Sequence, residues 1–129
     1  MMKMLHIFSL AAMICMAAAC RSSATVSIGP ALFGETLEQT PRPQLVDVRT
    51  LGEYAEERLP NAILMDIREA SFDTLILTLD KNRPVFVYCR SGKRSLDAAK
   101  ILEKNKFKTI YNLEGGILLW KEKGKPTER

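Results

Sequence analysis

The sequence predicts an α/β domain with a central, mainly parallel sheet of about five strands and helices on both faces. Three observations lead there. Short apolar runs alternate along the chain with stretches of helical character. The run Val85-Phe86-Val87-Tyr88 is apolar at every position rather than every second one, as a strand covered on both sides requires. The connections between segments are short, and strand–helix alternation with short connections is the pattern of parallel strands joined by crossover helices. With 129 residues, the chain suits one domain with one modest core.

In chain order, residues 25–28 form a first strand stopped by Gly29-Pro30. Residues 31–39 offer Leu32, Phe33 and Leu37 to a short helix, which Pro41 and Pro43 end. Leu45-Val46-Asp47-Val48 is a second strand and residues 51–57 a short polar helix. Leu59-Pro60-Asn61 turns the chain into a third strand at 62–65. Ser71 is placed as the N-cap of a helix reaching Leu77, with Asp73 in its first turn. Pro84 precedes the apolar strand 85–88. Residues 95–104 show Leu96, Ala99 and Leu102 at a spacing of three, flanked by Ala98 and Ile101, and read as a helix. Residues 109–113 are the last strand. Gly115-Gly116 opens a terminal helix with Ile117, Leu118 and Trp120 as anchors, Trp120 serving as a core residue.

The first 19 residues have the composition of a removable secretory leader: Lys3, an apolar run from Leu5, and three alanines at 17–19. The run is shorter than the roughly 20 residues that span a bilayer. Ala17-Ala18-Ala19-Cys20 resembles a bacterial lipobox, with Cys20 as the lipid-modified first residue, although Ala17 stands where a bulkier residue is usual. Ordinary cleavage after Ala19 is the other reading. Either way, the mature protein is expected outside the cytoplasm, in the periplasm or tethered to a membrane through a lipid on Cys20. Residues 20–24 then form a tether, 25–126 the domain and 127–129 a short tail.

Charge and residue counts exclude several functions. The formal charge is +4, and removing residues 1–19 takes away only Lys3. Acids and bases are interleaved, without the basic stripe and interspersed aromatics of a nucleic-acid binder. The surface suits small anions instead. His6, the single histidine, lies in the leader, and so does Cys15. The mature chain therefore offers no imidazole and no more than two thiols, which argues against a zinc site and against a Ser-His or Cys-His pair. No cofactor is implied.

Chemistry concentrates at Cys89-Arg90-Ser91-Gly92-Lys93-Arg94-Ser95, between a buried strand and a helix start. In a mainly parallel sheet, ligands collect at the carboxyl ends of strands. N–H groups at a helix start lack intrahelical partners, the helix dipole is positive there, and Arg90, Lys93 and Arg94 add formal charge. Gly92 allows the backbone angles of a loop wrapped around an anion. All of these stabilise a thiolate, so Cys89 is the expected nucleophile and no general base is required.

This loop resembles the six-residue active loop of rhodanese-type sulfurtransferases, and the resemblance extends along the chain. Leu45-Val46-Asp47-Val48-Arg49 followed by Glu53-Tyr54 is similar to the family's first signature, and Leu59-Pro60-Asn61-Ala62 to its second. Gly115-Gly116-Ile117-Leu118-Leu119-Trp120, with Gly124 and Pro126, resembles the terminal one. The second signature departs from the family, with Glu57-Arg58 in place of its Gly-His pair and Asn61 in place of its glycine. The resemblance implies a rhodanese-like fold over residues 25–126 and sulfur transfer through a persulfide on Cys89. The donor would be thiosulfate or a similar small anion, and the acceptor a thiol, a protein thiol or, in an assay, cyanide. Arg90, Ser91, Gly92, Lys93, Arg94 and Ser95 would bind substrate and hold the persulfide through their N–H groups. Asp47 and Arg49 would order the loop through charged hydrogen bonds. Glu53, Glu56 and Glu57 read as a solvated helix face.

Two other functions compete. Some phosphatases share the fold, but their longer loop needs Cys-x5-Arg, and Ser95 occupies the arginine position. A module that carries or senses sulfur without turnover would use the same Cys89.

Overall fold

A computed structural model describes residues 23–129, so the expected leader and the lipid site at Cys20 lie outside the described residues. The elements are β1 (Thr25–Ile28), α1 (Pro30–Gln39), β2 (Gln44–Asp47), α2 (Leu51–Glu56), β3 (Ile63–Leu64) and α3 (Phe72–Leu75), which continues as a 3-10 turn over Ile76–Thr78. They are followed by β4 (Val85–Tyr88), α4 (Lys93–Lys104), β5 (Ile110–Leu113) and α5 (Gly116–Glu122). The five strands form one sheet in the order β1-β5-β4-β2-β3, and every pairing is parallel. The α/β architecture expected from the alternation is therefore present, with no antiparallel strand in the sheet.

Strand β4 lies at the centre and divides the core by simple alternation. Val85, Val87 and Cys89 face one side, where α3 and α4 bring Phe72, Ala98, Ala99 and Leu102. Phe86 and Tyr88 face the other, where α1 and α5 bring Phe33, Ile117 and Trp120. Phe33 meets Phe86 and Trp120 edge-on, at 5.4 and 6.2 Å between centroids. Trp120 Nε1 donates to the Pro126 carbonyl at 2.8 Å, so this buried indole is a satisfied core residue, as expected.

Three boundaries differ from expectation for physical reasons. Helix α4 begins at Lys93 rather than Ser95, because Gly92 at φ +114° turns the chain straight into the first helical turn. Ser71 does not cap α3 through its side chain. Its backbone is already helical, and its carbonyl accepts from the N–H groups of Thr74 and Leu75. Strand β3 pairs only Ile63 with Val46 and Leu64 with Asp47, and isolated backbone bonds from Met65 and Ile67 carry the pairing further. Among the described residues, no helix is long and apolar enough to cross a membrane.

Candidate active site

Parallel strands bring their carboxyl ends to one side of the sheet, and the ends of β2 and β4 are neighbours there. Cys89 follows the last residue of β4, and the chain folds over its sulfur before α4 starts. The Gly92 N–H donates to Cys89 Sγ at 3.0 Å. Ser95 Oγ lies 3.4 Å from the same sulfur and donates to the Gly92 carbonyl at 3.1 Å. Cys89 and Ser95 are buried, whereas Arg90, Ser91 and Lys93 are exposed on the outside of the loop. The sulfur thus sits inside a backbone cup that turns an amide towards it. Of the N–H groups expected to surround it, that of Gly92 is within hydrogen-bonding reach.

The second side of the cup is α5. Ile117 N–H donates to the Cys89 carbonyl at 2.9 Å and Leu118 N–H to that of Arg90 at 3.2 Å. Gly116, at φ +60°, allows this approach: a Cβ there would lie 2.3 Å from the Arg90 carbonyl oxygen. Both glycines of the Gly115-Gly116 pair have positive φ, which explains why the terminal helix opens on them.

Arg94, expected to face the donor, is bound by Glu53. Its Nη1 and Nη2 donate to Glu53 Oε1 and Oε2 at 2.7 and 3.0 Å. Glu53 also closes a capping box with Thr50 at the start of α2. Hydrogen bonding from Arg94, supported by Thr50, holds the Glu53 carboxyl down at about 2. Glu53 in turn raises the Arg94 guanidinium through its hydrogen bonds and charge. The expectation that Glu53 lies on a solvated face is corrected: it fastens the end of the active loop to α2. Glu57 is also engaged, with Lys121 Nζ at 2.6 Å and Thr127 Oγ1 at 2.6 Å. Glu56 is exposed.

Asp47 and Arg49 are corrected as well. They make no hydrogen bond to residues 90–95, and support the strand end before the loop instead. Arg49 binds Asp47 through Nε and Nη2, the latter at 2.7 Å, and also donates to the Glu57 carbonyl at 2.6 Å. Tyr88, next to Cys89, donates to Asp47 Oδ2 at 2.6 Å and accepts from Leu59 N–H at 3.1 Å. Burial and the adjacent Asp47 push the Tyr88 hydroxyl far above its ordinary value. A fully buried ion pair is stabilised only when such additional hydrogen bonds complete it.

A cleft of about 410 Å³ opens beside the loop, and Arg49, Glu53, Arg90, Leu118 and Lys121 are among its walls. Among the described residues, no group of three or more His, Cys, Asp or Glu is placed to hold a metal ion.

Comparison with known proteins agrees with this geometry. The family model described as Rhodanese-like domain matches residues 31–123. YtwF of Bacillus subtilis is 37% identical over 99 residues, 77% of this chain and 93% of that protein. A sulfurtransferase of Allochromatium vinosum is 34% identical over 94 residues, 73% of this chain and 86% of that protein. Among solved structures, the polysulfide-sulfur transferase homodimer of Wolinella succinogenes has a TM-score of 0.69 at 32% identity, covering 81% of this chain and 79% of that one. The chain, with its all-parallel sheet and its cysteine cupped at the end of the central strand, belongs to the rhodanese-like domain family.

Proposed function

We propose that the protein is a sulfurtransferase that carries sulfane sulfur as a persulfide on Cys89. The observation that carries this reading is the Gly92 N–H aimed at Cys89 Sγ at 3.0 Å, where a buried strand meets a helix start. Relatives named as sulfurtransferases support it.

The Cys89 thiolate attacks the outer sulfur of thiosulfate. A bond forms between Sγ and that sulfur, the S–S bond of thiosulfate breaks, and sulfite leaves with the electron pair. An acceptor thiolate then attacks the outer persulfide sulfur and returns the electron pair to Sγ. The Gly92 amide and the positive end of α4 stabilise charge on the sulfur in both steps. The exposed Arg90 and Lys93 attract the anionic donor, while Arg94, fastened to Glu53, contributes a fixed positive charge near the loop.

Intact-mass analysis after incubation with thiosulfate, and separately with polysulfide, tests this reading. One added sulfur atom is expected, removable by a thiol and absent in Cys89→Ser. Failure to gain sulfur from either donor would overturn the reading. Stoichiometric loading without repeated transfer would assign the protein to sulfur carriage instead.

Export, with a lipid on Cys20, completes the proposal. Incorporation of a labelled fatty acid into the wild type and not into Cys20→Ser is expected. Processing without label would indicate plain secretion.

A further inference from the structure

A second concavity, of about 330 Å³, opens on the α1 and α5 side of the sheet and shares no lining residue with the cleft beside the active loop. Its walls are mostly apolar. Leu45, Leu59 and Trp120 come from the buried core, and Leu37, Pro60 and Pro126 lie nearer to solvent. An apolar pocket of this size with a few polar groups at its rim is the usual form of a small-molecule site. The charged residues on its walls are Glu38 and Lys125.

These two charges are near one another and unpaired. Gly34 and Glu38 both line the pocket from α1, where residues i and i+4 are neighbours on one side of a helix. Lys125 Nζ lies 4.0 Å from the place a Cβ on Gly34 would take. The ammonium group therefore reaches α1 one turn away from Glu38. Yet neither residue makes an ion pair, with the other or with any other described residue. Lys125 is held in place by backbone: its N–H donates to the Trp120 carbonyl at 3.1 Å, and Trp120 Nε1 donates to the Pro126 carbonyl at 2.8 Å. Lys125 is also half-buried, and a partly desolvated ammonium group beside an apolar wall is stabilised by a carboxylate that the protein itself does not supply there.

We infer that this pocket binds a free α-amino acid with a branched apolar side chain. The ligand's carboxylate pairs with Lys125, its ammonium group pairs with Glu38, and its side chain covers Leu45, Leu59 and Trp120. A zwitterion suits the rim better than a simple fatty acid, whose lone carboxylate Glu38 repels. It also suits the rim better than an amine, which Lys125 repels. No residue of the 89–95 loop lines the pocket, so the inference stands apart from sulfur transfer.

The test titrates the full-length protein with L-leucine and three relatives of it. Isocaproate lacks the ammonium group, isoamylamine lacks the carboxylate, and glycine lacks the side chain. Trp120 is the single tryptophan, so its emission reports on this wall of the pocket, and backbone amide shifts locate the ligand. L-Leucine is expected to give a saturable emission change, with amide shifts at residues 34–38 and 120–125. Isocaproate and isoamylamine should each bind about threefold to fivefold more weakly, as the loss of one charge pair near the surface predicts. Glycine should bind weaker by about tenfold or more, because it leaves the apolar wall in water. Glu38→Lys should weaken the binding of leucine and strengthen that of isocaproate; Lys125→Glu should weaken leucine and strengthen isoamylamine. A merely structural defect would weaken every ligand together. No saturable response to leucine in either readout overturns the inference, as does equal binding of leucine and its two singly charged analogues. Shifts confined to residues 89–95 overturn it too, by placing the amino acid at the active loop.

Discussion

Gly116 meets the carbonyl oxygen of Arg90 so closely that a methyl group has no place between them: its Cβ would stand 2.3 Å from that oxygen and 2.6 Å from the carbonyl of Cys89. Helix α5 and the active loop are therefore locked together through bare backbone.

Gly116→Ala should separate them. Strain at φ +60° adds to the backbone clash, and a loss of about 2–4 kcal/mol in stability is expected. Persulfide loading should fall with it. Gly52→Ala is the control, because nothing lies within 4 Å of its Cβ position in α2. That variant should be neutral or more stable by about 0.4–1 kcal/mol. Denaturant melts of the two variants check the contrast.

Ser95→Ala probes the other side of the sulfur. The variant removes a buried hydroxyl 3.4 Å from Sγ and one of two donors to the Gly92 carbonyl, leaving the Leu96 N–H. A net hydrogen bond is worth about 1 kcal/mol, so the rate of sulfur loading should drop about fivefold. Stopped-time mass analysis reads this directly. A rate equal to wild type would show that Gly92 alone governs the sulfur.

Glu53 predicts a response to acid. Its carboxyl ordinarily titrates near 4.5 and is held at about 2 by Arg94. A lowered folded-state value stabilises the fold above the unfolded value, and that contribution disappears as pH falls from about 4.5 towards 2. Wild-type stability should therefore decline across this window, and Glu53→Gln should flatten the part due to Glu53. Chemical melts at several pH values would show it. A parallel decline in both proteins would remove the pair from the account of acid stability.

Tyr88 gives the opposite pH limb. Its hydroxyl, ordinarily near 10, is raised by burial and by Asp47. The folded state keeps its proton where the unfolded chain releases it, so stability is full below pH 10 and falls above it. Tyr88→Phe should be less stable at neutral pH, since Asp47 and Leu59 N–H lose a buried partner, by about 1–3 kcal/mol. It should also lose the alkaline decline that Tyr88 causes.

Strand β4 was legible because a strand covered on both faces demands a continuous apolar run, as residues 85–88 provide. The place of Cys89 was legible because a cysteine between such a strand and a glycine-containing basic loop is locally defined. Its supports were not. Glu53 and Arg94 are 41 positions apart, as are Asp47 and Tyr88, and only the adjacency of β2 and β4 joins them. Thr50-Leu51-Gly52-Glu53 does have capping-box spacing, but that pattern identifies a helix start and is silent about a distant guanidinium. Arg94, which resembled a substrate ligand in a run of cations, became a structural tie once its partner arrived.

Cys89 exposes about 1% of its surface. Reactivity and reachability are thereby separated in this protein. A slim donor that presents a single sulfur atom at its tip should therefore react faster than a bulky alkylating reagent. The persulfide proposed for Cys89 would be correspondingly sheltered from oxidants in the surrounding medium.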